Sequence, residues 1–145
     1  IFEARVAVDG EIAYLAAKNI TDTQIAELQT ILNEAEETRK QNDYELYHAV
    51  DEKFHQLLNK AANNAYLVQF QQRLVDKLVR LYPKGINIGN RLENSTRENR
   101  LIADALISQD PEKAREYQVA HINSYRDHLI LVLQKLVIPF TGPAF

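Results

Sequence analysis

Scarcity of helix breakers constrains this chain more than any other feature. Its 145 residues contain only 4 Gly and 4 Pro. Most of these cluster where a chain would turn: Pro83 and Gly85, Pro111, Pro139, Gly142 and Pro143. Gly costs about 1 kcal/mol and Pro about 3 kcal/mol inside a helix, so the long stretches between these points are free to stay helical. An all-β chain needs turn residues roughly every 8–12 positions, and this one lacks them. Apolar residues recur at helical spacing and no stretch alternates convincingly. The fold class read from these facts is all-α, an antiparallel bundle of six to seven helices with short connections.

The helices can be placed by their start and stop signals. The first runs from Ile1 to Asn19, its apolar positions including Phe2, Val6, Ile12, Ala13, Ala16 and Ala17. Gly10 lies inside it and is tolerable if a neighbour crosses closely there. Thr21-Asp22-Thr23-Gln24 has the form of a capping box and opens a second helix. That helix ends in the polar run Glu36 to Asn42, read as a frayed end and loop. Asp43 caps a third helix from Tyr44 to about Lys60, and Asn63-Asn64 breaks it. Asn64 caps a fourth helix from Ala65 to about Leu81, stopped by Pro83-Lys84-Gly85. Ile86 to Asn94 reads as the longest loop. Ser95-Thr96-Arg97-Glu98 is a second capping-box pattern, placing a fifth helix from Thr96 to Ser108. Asp110-Pro111 starts the last helix, an N-cap followed by Pro at the first helical position. It runs to about Leu136, before Pro139 and Gly142-Pro143.

Composition removes several function classes. The chain is 46% hydrophobic and 26% charged, the balance of one globular domain. A net charge of −3 gives no electrostatic reason for this segment to bind nucleic acid. With no Cys, disulfides, thiolate metal sites and cysteine nucleophiles are all excluded. No apolar run reaches the roughly 20 residues that span a bilayer, and no signal peptide is visible, so the expected setting is cytoplasmic. The chain begins at Ile1 and has no Met, so further sequence upstream is expected.

Chemistry concentrates on histidines and their neighbours. Asp51 and His55 are four apart, which stacks a carboxylate and an imidazole on one helix face. His121 lies near Tyr117 and Tyr125 on a face of the last helix expected to be buried. One carboxylate and two imidazoles from different helices suit a first-row metal ion. A hydrogen-bonded core histidine produces the same spacing, and on spacing alone both readings stand. His48 and His128, each seven residues from one of the pair, read as partly exposed. Arg5 reads first as a surface residue pairing with Glu3 or Asp9. Arg73 and Arg80 share a face of the fourth helix. There is no G-x-S-x-G, phosphate loop or H-E-x-x-H, and no paired Glu-x-x-His.

Taken in order, several short elements resemble one family. They are Phe2-Glu3-Ala4-Arg5 with Asp9, Ile12-Ala13, and Leu15-Ala16-Ala17. There follow Asp51, Phe54 and His55, then Ala61-Ala62-Asn63-Asn64 and Leu67. Ala105, Asp110, Ala114 and His121-Ile122 complete the set. From Phe2 to about Leu133 the chain resembles the C-terminal effector (FCD) domain of GntR-type transcription regulators of the FadR subfamily. The resemblance implies metal ligands at Asp51, His55 and His121. It also implies a fourth ligand eleven residues before Asp110, where the family has His and this chain has Asn99, after Glu98. The expected cofactor is a divalent transition metal, zinc or nickel, with Asn99 a weaker ligand through its amide oxygen.

The resemblance also makes Arg5 an expected anion contact and Arg80 a weaker second one. The expected effector is a small organic or sugar acid bridging the metal and Arg5. The domain is expected to form a homodimer and to reach DNA only through a winged helix-turn-helix domain N-terminal to this segment. On this reading it is not an enzyme. Two alternatives stand beside it: a metal-free effector domain for a more apolar ligand, and a metal-dependent enzyme with Glu52 or Glu98 as base.

Overall fold

The computed structural model describes residues 1–81 and 91–136. The stops at Pro83-Lys84-Gly85, Pro139 and Gly142-Pro143, and residues 86–90 of the expected loop, lie outside them. Six helices appear in order: α1 (Phe2–Asn19), α2 (Asp22–Lys40), α3 (Tyr44–Ala62), α4 (Ala65–Leu81), α5 (Arg91–Ile107) and α6 (Pro111–Leu136). No strand occurs among the described residues.

Local chemistry fixes most helix ends. Thr21 accepts from the Gln24 backbone N–H, and the Gln24 side chain accepts in return from the Thr21 N–H, closing the capping box. Asp43 accepts from the Leu46 N–H at 3.0 Å and Asn64 from the Leu67 N–H at 3.2 Å. Asp110 accepts from the Lys113 N–H at 3.1 Å. Asn63 ends α3 in the left-handed region, φ 52°, a conformation asparagine tolerates better than most residues.

Two expected boundaries are wrong. α2 does not fray at Glu36 but continues to Lys40. Arg39 pairs with Glu36, Lys40 with Glu37, and Thr38 is buried with its hydroxyl donating to the Ala35 carbonyl. These contacts one turn apart hold a segment that looked too polar to be helical. α5 starts at Arg91, so Arg91 to Asn94 are helical and the pattern at Ser95 caps nothing. Leu92, Ser95, Asn99, Ile102 and Leu106 form one buried stripe, and packing of that stripe overrides the local cap signal.

α1 is the central element, packed against α6 and α3 and also touching α4 and α5. It runs antiparallel to α6. Near one end the Phe2 and Tyr125 rings meet edge to face, with centroids 6.0 Å apart. Further along, Gly10 lies beside Val119 and Arg115. A Cβ at position 10 would sit 3.1 Å from Val119 Cγ2, so the glycine permits the close crossing. Ile12, Ala13, Ala16 and Ala17 of α1 bury against Phe54, Leu57 and Leu58 of α3 and Ile102 and Leu106 of α5 in one continuous core. The small alanines bring α1 close to its neighbours. Polar groups on α1, α3, α5 and α6 therefore approach one another inside the bundle.

Candidate functional site

α3 carries a polar row, Tyr47, Asp51, His55 and Asn59, each four residues after the last. This row lies beside the apolar stripe of Val50, Phe54, Leu57, Leu58 and Ala61, so α3 presents a polar line at the margin of its buried face. Asp51 and His55 each keep about a quarter of their side chain exposed. Asp51 Oδ2 and His55 Nε2 are 3.7 Å apart, too far for a hydrogen bond. Two ligands of one ion can take that separation when each is about 2.1 Å from it.

α6 brings His121 to the same place. Its ring centroid is 5.5 Å from that of His55, with 35° between the planes, and its side chain is almost fully buried. His121 Nδ1 lies 2.8 Å from Glu98 Oε2. The carboxylate can only accept, so Nδ1 is the donor, and in the neutral ring Nε2 keeps its lone pair. A carboxylate behind an imidazole is the usual support of a metal-binding histidine. Glu98 is itself held by the Ser124 hydroxyl at 2.5 Å and by Arg91, whose Nη2 is 3.2 Å away. Burial pushes the Glu98 carboxyl up, but its hydrogen bonds to His121 and Ser124 and the charge of Arg91 outweigh that and hold it below its ordinary value of 4.5. Sequence reading placed Glu98 in a first helical turn. It lies well inside α5, and the Ser-x-x-Glu pattern that misplaced it is incidental.

Asn99 follows on α5 and is buried. Its Nδ2 donates to Asp51 Oδ1 at 2.7 Å, while its Oδ1 is buried without a hydrogen-bond partner. His55 feels all of these groups. Burial lowers its pKa below 6.5, the Asp51 charge raises it, His121 lowers it again, and the net direction is down. The neutral imidazole that a metal requires is therefore the favoured form. Tyr47, one turn before Asp51, has its hydroxyl pushed up to about 12 by burial and by the Asp51 charge.

Arg5 pairs with Asp9, as expected, but the pair is buried and not on the surface. Nε donates to Asp9 Oδ2 at 2.9 Å, and Asp9 is fully buried. Packing of α1 among its neighbouring helices sinks this face into the bundle, which helical spacing alone does not reveal. Among the described residues the two terminal nitrogens of Arg5 carry no hydrogen bond or ion pair. Asp9 also accepts from Gln71 of α4, and Gln71 in turn accepts from Asn59. Arg80 is exposed on α4 and makes no contact with the other candidates. His48 is exposed and His128 half-buried.

The residues named from the sequence thus form a partial constellation. Asp51, His55, Asn99 and His121 meet where α3, α5 and α6 converge, and Arg5 approaches from α1. Among the described residues no group of three or more His, Asp or Glu is drawn tightly enough to hold an ion as it stands. The pairwise spacings, the supported Nε2 of His121 and the stranded oxygen of Asn99 nevertheless suit a metal once the side chains close. Sequence reading missed Glu98 as a support, and also Arg91, Ser124, Asn59 and Gln71. Only Asn59 had a legible signal, since it continues the four-residue row on α3. Two open grooves of about 510 and 550 Å³ between α2 and α3 contain none of the candidate residues.

Comparison with known proteins bears on the family and the fold. A sequence profile described as the FCD domain matches residues 1–124. An uncharacterized HTH-type transcriptional regulator of Bacillus subtilis, YcbG, is 26% identical over 131 residues, covering 90% of this chain and 53% of that protein. The chain therefore spans about half the length of this curated relative. Among solved structures, McbR/YncC of E. coli aligns with a TM-score of 0.76 at 20% identity, over 92% of this chain and 66% of that one. GntR of Streptococcus agalactiae aligns with a TM-score of 0.68 at 25% identity, over 87% and 56%.

Proposed function

Because the chain belongs to the FCD domain family, we propose that it is the effector-sensing domain of a GntR-type transcription regulator of the FadR subfamily. Its role is to bind a small organic acid, and DNA contact belongs to an N-terminal domain outside this segment. The observation that carries the reading is the convergence of Asp51, His55, Asn99 and His121 beside Arg5. Asp51, His55 and His121 would hold a divalent transition metal, zinc or nickel, with the Asn99 amide oxygen as a fourth ligand. Bound there, the metal supplies positive charge and open positions that attract a carboxylate. Arg5 supplies the second anchor through its unengaged terminal nitrogens. Glu98 fixes the His121 tautomer, and Ser124 and Arg91 fix Glu98.

Arg5 already bonds Asp9, so an incoming carboxylate competes with Asp9 for the guanidinium. Asp9 in turn ties α1 to α4 through Gln71. A ligand at Arg5 thereby biases the packing of α1, α4 and α6, which is the differential interaction that ligand control requires. Exposed Tyr66 and Phe70, one turn apart on α4, and Ile130, Leu131 and Leu133 on α6 support a homodimer that would cover apolar surface.

One observation favours a second reading, the metal-free effector domain. The Asn99 amide already gives Asp51 a donor at 2.7 Å, which partly satisfies the carboxylate without an ion. Nothing in the geometry favours the enzyme reading, since Glu98 is engaged by three partners and Glu52 is exposed. Titration of the metal-stripped protein with zinc and with nickel decides between the two effector readings. Saturable binding, abolished or weakened at least a hundredfold by His55→Ala and unchanged by His48→Ala, is the expected result. No binding by wild type leaves the metal-free reading, and equal effects of both substitutions mean that the ligands are misassigned.

A further inference from the structure

The outer face of α4 carries a stripe of side chains that the single chain leaves in solvent. Tyr66, Phe70, Arg73, Lys77 and Arg80 follow one another at alternating steps of four and three residues. At 3.6 residues per turn all five fall within about 80° of the helix circumference. Each is exposed, Tyr66 at 80% and Phe70 at 58%. Gln71 and Leu78 on the other side are buried, and α4 packs chiefly on α1. Arg73 stands over its own Phe70 ring, with Cζ 6.0 Å from the centroid. Among the described residues Lys77 and Arg80 have no ion pair or hydrogen bond. The stripe itself contains no carboxylate.

Steps of four and three residues are the spacing of a coiled-coil seam, and this seam has a polarity. Its N-terminal part is aromatic and its C-terminal part cationic. An antiparallel partner with the same sequence reverses that order, so rings of one copy lie against cations of the other. The registers agree. Tyr66 and Lys77 have the same midpoint as Phe70 and Arg73, between Gln71 and Gln72. A two-fold axis there sets Tyr66 against the partner's Lys77 and Phe70 against the partner's Arg73, and symmetry repeats both layers. Each layer brings a cation to a ring, which the ring quadrupole favours. Asn63 and Arg80 share that midpoint too, so Arg80 meets the C-terminal end of the partner's α3, which Asn63 caps and whose carbonyls favour a cation. A parallel pair would instead set cation on cation at three levels. A nucleic-acid strand would engage the cations, but it gives no reason for the shared midpoint.

Building on the homodimer proposed above, we infer that α4 is its seam. The α4 helices of two copies pair antiparallel about an axis between Gln71 and Gln72, held by rings of each copy against cations of the other. Gln71 donates to Asp9, which holds Arg5. The axis therefore lies at the level where α4 is tied to the Arg5–Asp9 pair, and a change in that pair reaches the seam. Arg80, expected from the sequence to contact an anion, becomes a seam residue.

Sedimentation velocity of this chain is expected to show a concentration-dependent dimer. Phe70→Ala and Lys77→Glu are each expected to weaken association about tenfold or more. Lys77→Glu combined with Tyr66→Lys is expected to restore it, because the introduced charges then face each other in the antiparallel register and not in a parallel one. These positions are exposed in the single chain, so the variants are expected to keep its helical content. Because the chain has no Cys, orientation can also be read by crosslinking. Tyr66→Cys and Lys77→Cys proteins, mixed and oxidised, are expected to form a 66–77 disulfide. Neither is expected to crosslink alone, since like positions stand about 16 Å apart along the seam. Self-crosslinking of Tyr66→Cys would mean a parallel pair and overturn the inference. A dimer indifferent to Phe70→Ala and Lys77→Glu would keep the homodimer reading and overturn this one. A monomer at every concentration would sink both. A monomer that binds a short DNA duplex, and loses it with Arg73→Glu, would assign the stripe to nucleic acid instead.

Discussion

Asn99 is the residue on which the character of the site turns. Its amide has two ends, and Asp51 has claimed one. The nitrogen donates to Asp51 Oδ1, which holds the carboxylate toward α5 and leaves Oδ1 as a buried acceptor. Imidazole is a better ligand than an amide oxygen for zinc or nickel. Asn99→His is therefore expected to tighten nickel binding at least tenfold in a competition titration. Unchanged affinity would remove Asn99 from the ligand set and assign it to positioning Asp51 alone. Glu98 shows the complementary case, a residue whose partners in the fold define its role. Three groups hold it, which fixes its carboxylate behind His121.

Single positions also control how the helices meet. α1 and α6 approach most closely at Gly10, where an added Cβ would stand 3.1 Å from Val119 Cγ2 and 3.4 Å from Arg115 Cγ. Ala there gains about 1 kcal/mol of helix propensity and meets a tight contact, so the two effects oppose. Val adds branches to that contact and gains less. Gly10→Val is expected to cost about 1–3 kcal/mol, read as a lowered urea midpoint with an unchanged slope. A variant as stable as wild type would mean that α6 moves aside freely. At the third helix, Asp43→Ala removes the acceptor for the Leu46 N–H and is expected to cost about 1 kcal/mol by the same measurement. A cost below a few tenths would show that the α3 terminus is satisfied by water.

Acid should destabilise the whole domain in two stages. His55 has a folded pKa below 6.5, chiefly through burial. As pH falls past 6.5 the unfolded chain takes up the proton first, so stability present above that pH is progressively lost down to the folded value. Glu98 is likewise held below 4.5, and its contribution fades as pH falls from about 4.5 through the folded value. The two groups act in the same sense in different windows. Unfolding free energy measured from pH 8 to 4 is therefore expected to decline from about pH 6.5 downward, with a steeper fall below 4.5. His55→Ala is expected to flatten the upper part of this decline. A profile that rises on acidification between 7 and 5 would contradict the burial of a neutral His55. Among the described residues no helix is long and apolar enough to cross a membrane.

The sequence by itself determined the helices, most of their caps, and the shared face of Asp51 and His55. These features depend on residues within a turn or two of one another, and the four-residue periodicity of α3 is enough to read them. The FCD resemblance was carried by short elements in order along the chain, which needs no coordinates. Only the tertiary structure decided where α5 begins, because packing of Leu92 and Ser95 outweighed the cap signal at Ser95. Only it buried the Arg5–Asp9 pair, whose further partner Gln71 lies 62 positions from Asp9 on α4. It also joined Glu98 to His121 and aligned the Asp9–Gln71–Asn59 chain, whose direction follows from carboxylate chemistry once the partners are known. Contacts between distant helices leave no periodic trace in a single sequence. The pairing of Asn99 with Asp51 and of Asn59 with Gln71 is of that kind.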